Sequence, residues 1–145
     1  MKTVLLLLKI SRPKFWLYVA GPYLMGYMLG IKTQTELINP LFLIYLCYFL
    51  VPANIFLYGI NDYYDEETDK FNPRKKSEEY LVQSKEKKIL KPVLAALSLL
   101  SLIFVFLQTS FLERILFIIF VALSYLYSAP PIRFKARVLF DSLSN

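Results

Sequence analysis

The sequence predicts an all-α, multi-pass transmembrane helical bundle, and three observations lead to that fold class. The chain has 145 residues, of which 57% are hydrophobic and 19% charged, whereas about a quarter of the residues in a soluble domain are charged. The charged residues are concentrated between long apolar runs. Four of these runs can cross a bilayer as helices. We therefore expect residues 1–145 to form a single membrane domain whose four transmembrane helices belong to a larger bundle.

The composition also excludes several kinds of site and partner. The chain has no histidine, so imidazole-based triads and zinc sites are excluded from it. Cys47 is its one cysteine, which excludes an intrachain disulfide. The net charge of +6 comes from basic residues at helix ends, where topology requires them. We therefore expect a lipid bilayer and no nucleic acid as partner.

The elements follow from the apolar runs. Residues 1–14 are expected to form a short amphipathic segment at the membrane surface, because Lys9, Arg12 and Lys14 interrupt its apolar stretch too early for a signal peptide. Pro52 should bend the second helix, and Asn72-Pro73 should end it. The four helices are expected at about 14–31, 41–70, 89–108 and 111–129.

The distribution of basic residues predicts the orientation of the chain. The N-terminal segment, the 61–91 loop and the C-terminal tail together carry 15 Lys and Arg residues, and the other connections carry 2. Basic residues favour the cytoplasmic side. The sequence therefore predicts an integral, multi-pass membrane protein whose N-terminus, 61–91 loop and tail are all cytoplasmic.

Polar residues follow one face of the second helix and continue past its apolar part. They are spaced 4, 3, 4 and 4 residues apart: Asn54, Tyr58, Asn61, Asp65 and Asp69. Such a stripe is expected to face a cavity or partners, because polar groups are costly against lipid. Its oxygen ligands suit Mg²⁺, which commonly joins carboxylates to phosphates. Asn61, Asp65 and Asp69 are thus predicted as catalytic residues and Mg²⁺ ligands, and Asp62 shares their face only in part.

Basic residues complement these carboxylates. Arg74 and Lys75 follow them directly, and Arg133 and Lys135 lie in the other cytoplasmic segment. Cations of this kind stabilise the charge on a departing diphosphate. The alternative without a binding site is an ordinary solvated helix, whose exposed ion pairs contribute little to stability. A CDP-alcohol phosphotransferase site is disfavoured, because residues 61–73 lack the Gly and the Ala-Arg of that pattern.

Three motifs resemble one family along essentially the whole chain. NDYYDEETD at 61–69 is similar to the NDxxDxxxD motif of the UbiA superfamily of intramembrane prenyltransferases. SRP at 11–13 with Phe15-Trp16 and YSAPP at 127–131 with Arg133 and Lys135 agree with it. The stretches TDKFNPRK and YSAPPIRFKAR look most like the branch that contains lycopene elongases.

The resemblance implies Mg²⁺-dependent transfer of an isoprenyl group from a prenyl diphosphate donor to a hydrophobic, lipid-soluble acceptor in the membrane. Asn61, Asp65 and Asp69 would hold the metal. The implied substrate-binding residues are Asp62, Arg74, Lys75, Tyr127, Arg133 and Lys135.

The chain also differs from the family in two respects. The family has a second aspartate-rich motif and about twice as many helices. We therefore expect this chain to be the N-terminal half of a prenyltransferase, with a second chain as one source of the missing half. The alternative is a non-catalytic, truncated membrane protein that binds lipid or a partner.

Overall fold

The structure is a computed structural model that describes residues 2–71, Pro73 and residues 79–136. Within these ranges the chain forms helices and turns without a β-strand, so the all-α class is confirmed for them. The predicted site residues Arg74 and Lys75 lie outside the described residues. The α-helices are α1 (Lys2–Ile10), α2 (Trp16–Gly30), α3 (Pro40–Leu50), α4 (Pro52–Asp69), α5 (Lys87–Leu107) and α6 (Phe111–Leu126).

The chain divides into two compact units, one up to residue 55 and the other from residue 56 onward. In the first unit, α2 packs on α3 through aromatic rings. The rings of Tyr27 and Phe42 stack with their centroids 4.2 Å apart, and the Tyr23 hydroxyl donates to the Phe42 carbonyl at 3.1 Å. Apolar contact together with a satisfied hydroxyl stabilises this helical hairpin.

The helix predicted over 41–70 is interrupted at Val51 and resumes at Pro52 as α4. Proline has no backbone N–H, so it cannot continue the hydrogen bonds of α3. The Asn54 side chain compensates by donating to the carbonyls of Phe49 and Leu50 at 2.8 and 2.9 Å. Asn54 is fully buried. Its polar group therefore repairs the break in the helix, and this local role accounts for a polar residue in the apolar run.

The second unit holds α5, α6 and most of α4. Phe56, Ile60 and Ala129 form its buried apolar cluster, against which Leu94 of α5 and Val121 of α6 pack. The rings of Phe104 and Phe117 stack between α5 and α6 with centroids 6.3 Å apart. A capping box of Ser110 and Glu113 begins α6, as is common at a helix N-terminus. This packing places residue 129 beside the middle of α4.

Two helical segments of the described residues are long and apolar enough to cross a membrane, Pro40–Glu67 and Lys87–Leu107. The other two predicted spans correspond to α2 and α6, with 15 and 16 residues. At 1.5 Å per residue these reach only about 22–24 Å, less than the roughly 30 Å of a hydrocarbon core. By length and composition, two of the four predicted spans are therefore found among the described residues.

Candidate functional site

The C-terminal half of α4 carries the predicted aspartates, and the segment after α6 meets it. The turn at 127–136 is fixed by its own backbone, because the Arg133 N–H donates to the Ala129 carbonyl at 3.1 Å and the Lys135 N–H to the Tyr127 carbonyl at 3.2 Å. Arg133 has a φ of 49°, in the left-handed region that non-glycine residues rarely adopt. The turn therefore directs both basic residues of this segment back toward α4.

Five side chains then form what we call the cation-paired cluster: Asn61, Asp65, Ser128, Arg133 and Lys135. Arg133 Nη2 donates to Asp65 Oδ1 at 2.7 Å, and Lys135 Nζ pairs with Asp65 Oδ2. Each oxygen of the Asp65 carboxylate thus faces a different cation. Asp65 is only 5% exposed, so these charge-assisted bonds compensate the cost of burying it.

The Lys135 ammonium has three acceptors in this cluster. Besides Asp65 Oδ2, it donates to Asn61 Oδ1 at 2.9 Å and lies 3.1 Å from Ser128 Oγ. The Ser128 hydroxyl itself donates to Asn61 Oδ1 at 3.0 Å. An ammonium group has three protons to donate. Lys135 is therefore held at a fixed point, with α4 on one side and the 127–136 turn on the other.

Burial also changes the acidity of this lysine. It lowers the pKa of Lys135 to about 8, and the negative charge of Asp62 offsets part of that effect. Desolvation disfavours the charged form of an amine, whereas a nearby carboxylate favours it. Asp62 is therefore close enough to the cation-paired cluster to act on it electrostatically.

A second site, the acidic pocket, lies along a neighbouring face of α4. It is a cavity of about 400 Å³, within the usual size range of small-molecule sites. The α4 side contributes three carboxylates and a lysine, and a stretch before α5 forms the opposite wall. Its lining residues are Asp62, Glu66, Asp69, Lys70, Leu81, Val82, Gln83 and Ser84.

The structure divides the predicted ligands between these two sites. Asn61 and Asp65 meet Arg133 and Lys135, while Asp69 lines the acidic pocket together with Asp62. Helix geometry explains the division, because each residue turns the side chain by about 100°. Asp69 points within about 20° of Asp62 but about 80° from Asn61. The carboxylates at 62, 66 and 69 therefore form a stripe of their own.

The donors of the acidic pocket fit Mg²⁺ in chemistry. Among the described residues no three His, Cys, Asp or Glu side chains converge into a complete metal site. Mg²⁺ is usually held by only one or two carboxylates, with substrate phosphates and water as the other ligands. The carboxylates along this cavity wall therefore suit a Mg²⁺ ion that is bound jointly by protein and substrate phosphates. They suit less well an ion whose ligands all come from the protein.

Two participants were not among the predicted site residues. Ser128 joins Asn61 to Lys135, and its position inside the YSAPP motif was the available signal. Glu66 lies in the pocket lining and pairs with Lys87 at 2.9 Å; its i+4 spacing from Asp62 was the signal. Tyr127, predicted to bind substrate, supplies a backbone carbonyl to the turn.

Comparison with known proteins adds independent findings. Residues 19–145 match the model of the UbiA prenyltransferase family. The chain is 38% identical over 139 residues to the lycopene elongase/hydratase of Haloarcula japonica, covering 96% of this chain and 47% of that protein. It is 40% identical to the protein of the same name from Halobacterium salinarum, covering 94% of this chain and 48% of that protein.

A bacterial relative gives the same result. The lycopene elongase/hydratase of Corynebacterium glutamicum is 34% identical over 146 residues, covering 100% of this chain and 50% of that protein. The chain thus spans about half the length of the curated relatives it matches. No solved structure matches it.

Proposed function

Because the chain belongs to the UbiA prenyltransferase family, we propose that the whole protein transfers an isoprenyl group from a prenyl diphosphate to a lipid-soluble acceptor within the membrane, with Mg²⁺ as cofactor. The observation that carries the proposal is the juxtaposition on α4 of the acidic pocket and the cation-paired cluster. A diphosphate leaving group needs both, since metal ligands and cationic donors stabilise its charge by different contacts.

In this proposal Asp62 and Asp69 would hold the metal, and Mg²⁺ would neutralise charge on the diphosphate when bound. Asn61 and Asp65 hold Lys135 and Arg133 in the cation-paired cluster on the neighbouring face of α4, where their positive charges favour the binding of an incoming diphosphate. The bond between the allylic carbon and the diphosphate oxygen breaks, and the diphosphate leaves with the electron pair. An electron pair of an acceptor double bond then forms the new bond to the allylic carbon, and the cation that this leaves on the acceptor loses a proton to the departed diphosphate.

The relatives' names suggest the class of acceptor. Three of them are called lycopene elongase/hydratase, so we propose a carotenoid-like polyene as acceptor and carotenoid biosynthesis as the setting.

Large apolar side chains are exposed along α5 and α6, as expected of surfaces in contact with lipid. They include Leu99, Leu102, Phe106, Leu112 and Leu116.

We extend the proposal to topology and assembly. Four spans, with the N-terminus, the 61–91 loop and the tail cytoplasmic, would place both α4 sites on one membrane face with the basic residues. Hydrophobic mismatch at the shorter α2 and α6 is accommodated by local thinning or flanking residues. We also propose a second chain as one source of the helices that complete the bundle.

The test is Mg²⁺-dependent consumption of radiolabelled prenyl diphosphate by membranes that contain the full-length gene product. Asp62→Asn and Asp69→Asn should each reduce turnover about 100-fold or more, because each removes a charged ligand at the reacting diphosphate. Chelation of Mg²⁺ should abolish turnover in the unaltered protein.

Two variants serve as matched controls. Glu67→Gln removes an exposed carboxylate from the same helix, and Lys32→Ala removes an exposed cation from the connection between α2 and α3. Both should retain turnover. Full activity of the two aspartate variants would refute the metal assignment, and an unaltered protein without turnover would favour the non-catalytic alternative.

A further inference from the structure

The wall of the acidic pocket opposite α4 is a short ordered stretch, residues 80–86, that precedes α5. Hydrogen bonds of Glu86 close this stretch into a turn. Glu86 Oε1 accepts from the Tyr80 hydroxyl at 2.6 Å, Glu86 Oε2 accepts from the Gln83 N–H at 2.9 Å, and the Glu86 N–H donates to the Gln83 carbonyl at 2.8 Å. Because these bonds close a turn, the stretch is expected to behave as one piece.

A different carboxylate fastens this piece to α4. Glu66 Oε1 accepts from the Ser84 hydroxyl at 2.5 Å, and Glu66 Oε2 lies 2.9 Å from Lys87 Nζ at the start of α5. Lys87 Nζ also lies 5.1 Å from the centre of the Tyr63 ring. The wall and the first residue of α5 are therefore both attached to α4, through two oxygens of one side chain and one aromatic face.

The ion pair in this attachment is more shielded from water than a surface ion pair. The Glu66 side chain is 7% exposed and that of Lys87 28%, so water screens the pair less than it would in solution. The further pair of Glu66 with Lys70, at 3.2 Å, is different, because the Lys70 side chain is 57% exposed and such pairs contribute little. The Ser84 and Lys87 contacts therefore hold the wall.

We propose that Glu66 is a positioning residue: through Ser84 and Lys87 it holds residues 81–84 across the acidic pocket and so keeps Asp62 and Asp69 at a site of fixed width. The inference rests on the proposed function, since it assigns Glu66 a role in binding the metal–diphosphate unit. Glu66 lies between the two aspartates on one helical stripe, one turn from each. It acts on the opposite wall, whereas they act on the ligand.

The attachment itself can be measured without any turnover. Val82 is 5% exposed, and its neighbour Gln83 is exposed. In the full-length gene product with its native cysteines replaced, including Cys47→Ser, the variant Val82→Cys should react slowly with a maleimide in detergent. Addition of Glu66→Ala should accelerate the labelling at least about tenfold, because a charge-assisted anchor is lost. Gln83→Cys should react quickly with or without Glu66→Ala.

Kinetics then test the positioning role. Glu66→Ala should raise the KM for prenyl diphosphate and the half-saturating Mg²⁺ concentration at least about tenfold, with kcat changed by less than about threefold. Glu66→Gln keeps an acceptor for Ser84 but loses the ion pair, so its values should fall in between. Glu67→Gln, a change of the same kind at the exposed neighbour, should leave both parameters unchanged.

The outcomes separate this proposal from the proposed function. Unchanged labelling of Val82→Cys would overturn the attachment, and faster labelling with unaltered KM and Mg²⁺ dependence would overturn the positioning role. Absence of turnover in the unaltered protein, with labelling still controlled by Glu66, would refute the prenyl transfer and Glu66's part in it while the attachment stands. Should Glu66→Ala fail to fold, Ser84→Ala and Lys87→Met weaken the same contacts from the other wall and should act in the same direction.

Discussion

The aspartates on two faces of α4 have different surroundings. On the first face, both oxygens of Asp65 meet cations from a segment 68 or more residues away in sequence. On the second face, Asp62 and Asp69 line a cavity of about 400 Å³ whose other wall follows closely in the chain. The difference teaches that carboxylates of one motif have different surroundings: cations distant in sequence contact both oxygens of Asp65, whereas Asp62 and Asp69 line a cavity.

The comparison predicts a large loss of stability when the cation-paired cluster is broken. Asp65→Ala leaves Arg133 and Lys135 close together without their shared carboxylate, which should lower the free energy of unfolding by about 3 kcal/mol. Reversible unfolding in mixed detergent–SDS micelles would measure the change. Glu67→Gln, on an exposed position of the same helix, should change it by less than about 0.5 kcal/mol. A loss below about 1 kcal/mol for Asp65→Ala would contradict a structural role for this pair.

A smaller effect is expected at the neutral member of the same cluster. Ser128 is 1% exposed and donates to Asn61 Oδ1, so Ser128→Ala should cost about 1 kcal/mol of unfolding free energy. Ser98→Ala is the matched control, because the exposed Ser98 hydroxyl bonds only one turn back, to the Leu94 carbonyl of its own helix. Equal effects of the two substitutions would show that Ser128 does not link α4 to the 127–136 turn.

The smallest effect on stability is expected in the acidic pocket. Asp69→Asn keeps the shape of a side chain that lines a cavity and keeps an oxygen that accepts hydrogen bonds, so the unfolding free energy should change by less than about 0.5 kcal/mol. Turnover should nevertheless fall, as proposed above. If Asp69→Asn lowered the unfolding free energy by more than about 1.5 kcal/mol, the contrast between the two faces would not hold.

The sequence predicted the features that depend on composition and motif. The helical class is confirmed for the described residues, and the family is confirmed by the match over residues 19–145. Asp65 meets Arg133 and Lys135 as the sequence expected of the two charged segments, and the cytoplasmic orientation of these segments stays a prediction. These features were predictable because apolar runs, motif order and charge can be identified directly from a sequence.

Features that depend on packing were not predictable in the same way. A spacing of four residues placed Asn61, Asp65 and Asp69 on one stripe, but the drift of about 40° per step carries Asp69 to the stripe of Asp62 and Glu66. Similarly, Asn54 fitted a polar cavity face, but Pro52 left carbonyls nearby that its amide satisfies. Whether a polar side chain faces a cavity or its own backbone is decided by the path of the chain. The roles predicted for Arg74 and Lys75 stay predictions.

The conformation of Arg133 has a consequence for how this position should be interpreted. Its φ of 49° is one that glycine adopts readily and that costs other residues about 1–3 kcal/mol. The local backbone would thus prefer no side chain at all, while the cluster requires a guanidinium. Position 133 thus holds an arginine although its backbone conformation favours glycine. The contact of the Arg133 guanidinium with Asp65 therefore matters more to the protein than the conformational strain that glycine would relieve.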